Sequence, residues 1–302
     1  MQFLSALLSS MPGAAAQGLI WGVMAIGVYI TYKILDVADL TVDGSLCTGG
    51  AVCVILTLNG CPMPVALIAA VIAGMLAGFV TGIFHTAFGI PAILAGILTQ
   101  LALYSVNLHI MGWGTDNGSK ANLPISVDKY KLLVSSRYVR DIKVDNPIFI
   151  LAIFLIIIIF VLYWFFGTEL GSSLRATGAN GNMARAQGIN TNFTKVLGLM
   201  ISNGLVALSG ALLSQYQGFS DINMGRGAIV IGLAAVIIGE VIFDKIFRNF
   251  GLKLLSCVIG AVIYYVVIQI VLKMGLSTDD LKLLTAVVVA LFLAVPYWKG
   301  KY

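Results

Sequence analysis

The sequence contains little charge for its length, and this scarcity indicates its class. Of its 302 residues only 10% are Asp, Glu, Lys or Arg, whereas 59% are hydrophobic, and the mean hydropathy is +0.99. An ordinary soluble domain carries about 25% charged residues. The composition therefore excludes a soluble globular domain and indicates an integral membrane protein.

Residue types that carry chemistry are also scarce. The chain has two histidines and four cysteines, none with the spacing of metal ligands: His85, His109, Cys47, Cys53, Cys61 and Cys257. It has no Gly-x-x-x-x-Gly-Lys-[Ser/Thr] phosphate-binding loop, so ATP hydrolysis by this chain is not expected. No Ser/His, Cys/His or His/Asp group converges on one face. The sequence therefore predicts neither a metal nor a cofactor, and no enzyme activity.

Apolar runs dominate what is present. A helix crosses the hydrocarbon core with about 20 apolar residues, and such runs recur along the whole chain. We predict an all-α, polytopic transmembrane bundle of about nine spans, with eight or ten as alternatives, forming a single domain over residues 1–302. The predicted runs are Ala14–Leu35, Leu46–Leu58, Pro64–Phe84, Ile90–Met111, Pro147–Phe166, Phe193–Gln217, Ala228–Phe243, Lys253–Leu272 and Leu283–Tyr297. The second and seventh are short, which favours broken or re-entrant helices buried by their neighbours.

A polar, glycine-rich segment, Gly167–Asn192, separates two of these runs. Its pattern predicts two short helices hinged at Gly178–Gly181, with Asn180 or Asn182 as the cap of the second helix and Gly188 as its stop. Such a helix at the membrane surface is suited to docking in a groove of a soluble partner. The alternative is a solvated loop.

Three blocks of sequence resemble a known family. The pattern Leu-Arg-Ala-Thr-Gly-x-Asn-x-x-x-Ala-Arg-x-x-Gly-Ile-Asn at Leu174–Asn190 resembles the cytoplasmic coupling loop of permease subunits of bacterial ABC importers, in the branch for branched-chain amino acids and monosaccharides. Gln17–Ala51 is similar to the first two spans of that branch, and Gly227–Glu240 to a late span. The Ala-Asp-Leu-Thr-Val-Asp-Gly stretch at Ala38–Gly44 departs from the branched-chain members and resembles a subgroup assigned to tryptophan or tyrosine. Glu240 also departs, because it stands where a second glycine is usual.

This resemblance implies a function and a set of partners. The chain would form half of a dimeric pathway for an amino acid, with an aromatic one favoured, in the bacterial cytoplasmic membrane. The second permease would be an identical or a different chain. A separate ATPase would drive transport, and an extracytoplasmic solute-binding protein would dock on the extracellular loop Gly112–Asn146 and on the turn Gly218–Arg226. The residues implied in ATPase coupling are Arg175, Gly178, Asn180, Met183, Ala184, Arg185, Gln187 and Gly188.

Orientation has a weaker basis in the sequence. Basic residues divide almost evenly between the two sides of the predicted spans. If the loop Gly112–Asn146 is set aside, the remainder favours a cytoplasmic Gly167–Asn192 segment.

Polar residues inside spans are costly and are therefore candidates for the substrate pathway. Gln100, Tyr104 and Asn107 are spaced by four and three residues, so they share one face of the fourth run. Asn203 and Gln269 are expected near the middle of two other runs. For all five, hydrogen bonding between helices is the alternative.

Acidic residues and glycines give further expectations. Asp39 and Asp43 are interpreted as caps at the start of the second run, and Glu240 as a partner of Lys245 or of nearby backbone. Four-residue spacing in Gly74, Gly78 and Gly82, and in Gly18 and Gly22, predicts close helix packing within the chain rather than a dimer seam.

Two other transport functions stay open. An ion-coupled secondary transporter or channel would need intramembrane acids or ion sites at broken helices, and Glu240 is the only deep acid that the sequence suggests. An ABC permease for a sugar or nucleoside is the second alternative.

Overall fold

The computed structural model describes residues 2–114, 118–126, 129–130, 132–139, 146–243, 246–247, 249–273 and 281–298. Helices account for most of this part of the chain. They are α1 (Gln2–Tyr29), α2 (Val42–Leu58), α3 (Met63–Thr86), α4 (Ala92–Met111), α5 (Pro147–Gly167), α6 (Glu169–Ala179), α7 (Gly181–Ala186), α8 (Thr191–Gln217), α9 (Ala228–Phe243), α10 (Phe250–Lys273) and α11 (Leu281–Trp298). A π-helical turn, Ile30–Ile34, extends α1, and Ser136–Tyr138 form a 3₁₀ turn. Strands β1 (Asn122–Pro124) and β2 (Phe219–Asp221) pair antiparallel.

Each predicted apolar run corresponds to a helix, so the all-α fold is confirmed. Six helices in the described residues are long and apolar enough to cross a membrane: the α1 segment Ser9–Ile34 and the helices α3, α4, α5, α8 and α10. The two runs predicted to be broken or re-entrant are the shorter apolar helices α2 and α9.

The predicted glycine packing is also confirmed. A side chain at Gly74 or Gly78 would meet the α8 backbone at Asn203 or Leu199, and one at Gly82 would meet Val196. Gly18 and Gly22 approach Val262 and Val258 of α10 in the same way. Small residues therefore bring α3 onto α8 and α1 onto α10, all within one chain.

The two ends of α8 define the two ends of the molecule. Its 27 residues span about 40 Å, at 1.5 Å per residue. Helices α6 and α7, which we call the elbow (Glu169–Ala186), precede α8 at one end. Strand β2 follows α8 at the other end, which we call the sheet end.

Helices α2 and α9 both begin in the interior of the bundle. Gly44, in the first turn of α2, packs against Gln100 and Leu103 near the middle of α4. The next residue, Ser45, donates a hydrogen bond of 2.6 Å from Oγ to Asn203 Oδ1, near the middle of α8. The segment from Ser220 to Gly227 runs along α2 to this depth, since Ser220 Oγ lies beside Gly50 and Gly227 N donates to Asp43 Oδ2 at 2.9 Å. Irregular backbone at such a depth is tolerated where protein buries it or where it lines a cavity.

The acidic residues correct one of the sequence expectations. Asp43 caps α9 rather than its own helix, because its two carboxylate oxygens accept from Gly227 N at 2.9 Å and from Ile229 N at 3.0 Å. Asp39 does serve the start of α2, where Oδ1 accepts from Thr41 N at 2.9 Å. Glu240 pairs with Lys33 at 3.2 Å, a partner that the sequence did not suggest, while Lys245 lies outside the described residues.

Candidate functional site

A cavity of about 290 Å³ lies where α2 and α9 begin. Helices α2 and α4 form two of its walls, and the segment between β2 and α9 forms the third. The lining residues are Asp43, Gly44, Cys47, Gln100, Leu101, Tyr104, Asn107, Ile222 and Arg226. We call this the central cavity. The structure therefore brings together the three residues that share a face of α4, and adds two walls that sequence reasoning missed.

Asn107 is the most enclosed polar side chain of this wall. It is 1% exposed, and its Nδ2 donates to Gly44 O at 3.4 Å. Its Oδ1 is buried without a hydrogen-bond partner among the described residues. Asn107 is a lining residue of the cavity, and a buried acceptor of this kind normally has a hydrogen-bond partner.

Arg226 supplies a positive charge on the opposite wall. Its neighbours hold the backbone around it, since Gly225 N donates to Cys47 Sγ at 3.2 Å and Gly227 N donates to Asp43. In the described part of the chain no ion pair includes the Arg226 guanidinium. The turn Gly218–Arg226 runs along α2, with Ser220, Ile222 and Gly225 buried and with Phe219, Asn223 and Arg226 exposed; its role as a docking surface stays a prediction. Glycines and a charge are typical of surface turns, so the sequence carried no signal for this inward path.

Asn203 and Gln269 lie away from the central cavity. Asn203 Oδ1 accepts from Ser45 Oγ, and its Nδ2 donates to Asp39 Oδ2 at 2.7 Å and to Leu199 O at 3.0 Å. These contacts match the helix-to-helix alternative. Gln269 lies in the last five residues of α10 rather than near mid-span, beside a separate polar cavity of about 450 Å³ with Gln17 and Tyr216.

The elbow has the two helices predicted for Gly167–Asn192. Asn180 separates them and caps α7, because its Oδ1 accepts from Asn182 N at 3.1 Å and from Met183 N at 3.0 Å. Gly188 follows α7 with φ of 83°, a left-handed conformation that favours glycine. The predicted hinge, cap and stop are therefore confirmed.

Three of the predicted coupling residues attach the elbow to the bundle. A side chain at Gly178 would collide with the carbonyl oxygen of Ile34, so α6 rests directly on the end of the first span. The Arg175 guanidinium lies 4.2 Å from the ring centroid of Phe250, a cation–π contact that ties α6 to α10. Arg185 Nε donates to Thr191 Oγ1 at 2.7 Å, which ties α7 to α8.

The other face of the elbow points away from the bundle. Met183 is 63% exposed and borders a small groove of about 140 Å³ between α6 and α7. The groove residues are Ala176, Ala179, Asn180, Met183, Ala184, Gln187 and Ile189. An exposed methionine beside an apolar groove is typical of a helix-docking surface.

This chain is similar to several known proteins. The family described as "Branched-chain amino acid transport system / permease component" matches residues 10–296. A tyrosine transport system permease protein of Clostridioides difficile (strain R20291) is 41% identical, over 95% of this chain and 91% of the relative. The ribose import permease protein of Escherichia coli (strain K12) is 25% identical, over 72% of this chain and 64% of the relative. The solved structure of PsaBC from Streptococcus pneumoniae in complex with Fab has a TM-score of 0.52 at 15% identity, and covers 98% of this chain and 94% of that one. This last likeness concerns the fold alone.

Proposed function

We propose a function for this chain from the premise that it belongs to the family of permease components of branched-chain amino acid transport systems. It is a membrane-spanning permease subunit of an ATP-binding-cassette importer, in the bacterial cytoplasmic membrane. Subunits of this kind work with an ATPase and a solute-binding protein, so the chain needs a pathway for its solute and a contact surface for each partner.

The solute that we propose is an amino acid with an aromatic side chain, such as tyrosine. The central cavity carries this proposal, because it lies where the two short helices α2 and α9 begin and its lining includes both polar and apolar side chains. Its volume of about 290 Å³ is near the lower end of the roughly 300–1,000 Å³ found for small-molecule sites, which suits a single amino acid. The 41% identity to a tyrosine transport permease supports the same solute class, and we propose transport without catalysis by this chain.

A sugar is the second candidate solute, and the ribose import permease relative favours it. That relative is more distant, at 25% identity. An ion-coupled mechanism has less support, since the interior carboxylates of Asp39 and Asp43 accept hydrogen bonds from backbone amides that fix local structure.

We place the elbow in the cytoplasm, in contact with the ATPase, and the loop Gly112–Asn146 outside, in contact with the binding protein. A second permease would cover the open side of the central cavity, where Leu101 on α4 is 64% exposed. Exposed apolar residues on the neighbouring helix α3, including Leu76 and Phe79, would extend that interface. In this arrangement the single domain of residues 1–302 forms half of the pathway.

The test of the proposed function is reconstitution. The chain is expressed with the ATPase and binding protein encoded beside it, and the complex is placed in liposomes that contain ATP. We expect ATP-dependent uptake of labelled tyrosine, with excess unlabelled ribose as a competitor that has no effect. Uptake of ribose alone, or uptake that follows an ion gradient without ATP, would contradict the proposal.

Replacing Met183 with glutamate should separate the chain from its ATPase. The substitution puts a charge into the apolar groove of the elbow, where it must be desolvated on docking, and we expect affinity for the ATPase to fall about tenfold or more. Copurification in mild detergent measures this. The control is Asn192→Glu, which places the same charge on an exposed residue outside the groove; equal retention of the ATPase by both variants would remove the docking role of Met183.

A further inference from the structure

We propose that the central cavity recognises the zwitterionic end of an α-amino acid, with Arg226 binding the carboxylate and Asn107 Oδ1 accepting a hydrogen bond from the ammonium group. This inference rests on the proposed transport function and adds to it the residues that select the solute class. The sequence predicted Asn107 as a pathway residue, whereas it placed Arg226 in a docking turn.

The environment of Arg226 fits a ligand-binding role. Its side chain lines the cavity, and among the described residues no carboxylate forms an ion pair with it. The cavity's acid, Asp43, uses both of its oxygens to accept backbone hydrogen bonds at the start of α9. The guanidinium is therefore left for a ligand, and its planar set of donors matches a carboxylate in a bidentate manner.

The environment of Asn107 supplies the second, independent observation. A buried acceptor without a partner costs about 1–3 kcal/mol, so Oδ1 of this 1%-exposed residue gains when a donor arrives. An ammonium group offers three N–H donors, whereas a carboxylate offers none. The two walls thus present a cation and an acceptor, which complement the two charged groups of an amino acid.

The remaining walls accommodate an apolar side chain. Leu101 and Ile222 are apolar, and Tyr104 presents an aromatic ring with a polar hydroxyl group. Aromatic rings prefer offset or edge-to-face partners, so Tyr104 favours an aromatic solute. A neutral sugar would leave the positive charge of Arg226 without a counterion.

Contacts that do not involve a ligand hold the backbone of the site in place. Asp43 fixes the start of α9, and Cys47 receives a hydrogen bond from Gly225 N, so Arg226 lies between two anchored glycines. Its position therefore depends on contacts that a change of its own side chain does not remove. Variants of Arg226 are accordingly expected to fold.

The experiment uses the full complex of permease, ATPase and binding protein in liposomes, with labelled tyrosine as the probe. We expect Arg226→Gln to lower the initial uptake rate about tenfold or more, while the variant still assembles with the ATPase. Arg226→Lys keeps the charge without the bidentate geometry and should transport at least about threefold faster than Arg226→Gln. Asn107→Leu removes the acceptor and should lower uptake about threefold or more.

The matched control is Lys273→Gln, which removes an exposed positive charge at the end of α10, outside the cavity, and should leave uptake unchanged. Wild-type uptake by Arg226→Gln would overturn the inference and leave the proposed function intact. Equal losses of uptake in Arg226→Lys and Arg226→Gln would also overturn it, because the positive charge at position 226 would then contribute nothing to uptake. If the wild-type complex takes up no amino acid, both the proposed function and this inference fail.

Discussion

Substituting alanine for Gly178 is expected to reduce solute uptake by the complete complex about 30-fold, while the complex still assembles and hydrolyses ATP. The added Cβ would collide with the carbonyl oxygen of Ile34 and would approach the backbone of Leu35 at 2.9 Å. Both are backbone atoms that cannot rotate away, so α6 must move off the end of the first span. Overpacking of this kind costs about 1–3 kcal/mol, which corresponds to a factor of roughly 5 to 150 in an equilibrium.

The ratio of uptake to ATP hydrolysis measures this effect. The outer face of the elbow, where Met183 lies, is not changed by the substitution, so the ATPase should still bind. The substitution disrupts the contact between α6 and the end of the first span, through which movement of the elbow would reach that span. Gly178→Ala should therefore uncouple the two activities, unlike Met183→Glu, which should separate the subunits.

The control for Gly178 lies three residues further along the same elbow. A Cβ at Gly181 would meet no atom within 4 Å, so Gly181→Ala should transport at the wild-type rate. If Gly178→Ala and Gly181→Ala transported equally well, the tight contact between α6 and Ile34 would have no part in coupling.

Local patterns in the sequence were sufficient for the helices and for the elbow. Apolar runs correspond to helices because a membrane span must satisfy its backbone within itself, so length and hydropathy carry the signal. Asn180 as a cap and Gly188 as a stop are equally local, since each acts on atoms a few residues away. The shared face of Gln100, Tyr104 and Asn107 follows from helical periodicity alone.

Contacts between residues that are far apart in the sequence could not be predicted from local patterns. Asp43 caps α9 by accepting from the amides of Gly227 and Ile229, 184 and 186 positions later, and the sequence next to Asp43 suggested its own helix instead. Arg226 follows the same pattern, because a short glycine-rich turn after a span is typical of a surface. The descent of residues 220–227 along α2 brings Arg226, which is exposed, to the lining of the central cavity.

Asn203 shows most clearly what a local sequence pattern leaves undecided. Replacing it is also expected to have a large effect on stability. A polar residue near the middle of a span indicates either a pathway or a bond between helices, and periodicity does not separate the two. The structure gives Asn203 three hydrogen bonds, to Ser45, Asp39 and Leu199, and it is 0% exposed. It therefore joins α8 to α2 and to the coil before α2.

Replacing Asn203 with leucine should lower the free energy of unfolding by about 2–4 kcal/mol. The leucine has a similar size, but it removes the donor to Asp39 Oδ2 and the acceptor for Ser45 Oγ, and both of these partners are buried. Thermal unfolding of the purified permease in detergent measures the loss. Ser45→Ala is the graded control: it removes one bond of the network and leaves the donor to Asp39 in place, so it should cost about 1 kcal/mol.

The two variants together distinguish a structural network from a transport site. If the role of Asn203 is structural, low temperature should restore folding of Asn203→Leu. Its uptake should then recover in proportion to the fraction of the protein that is folded. A variant with wild-type stability and abolished uptake would instead assign Asn203 to the pathway. Because Asp39 Oδ2 is bonded to Asn203 at 2.7 Å inside the bundle, we expect the stability loss: removing one member of a buried polar pair leaves the other without compensation in a medium that offers no water.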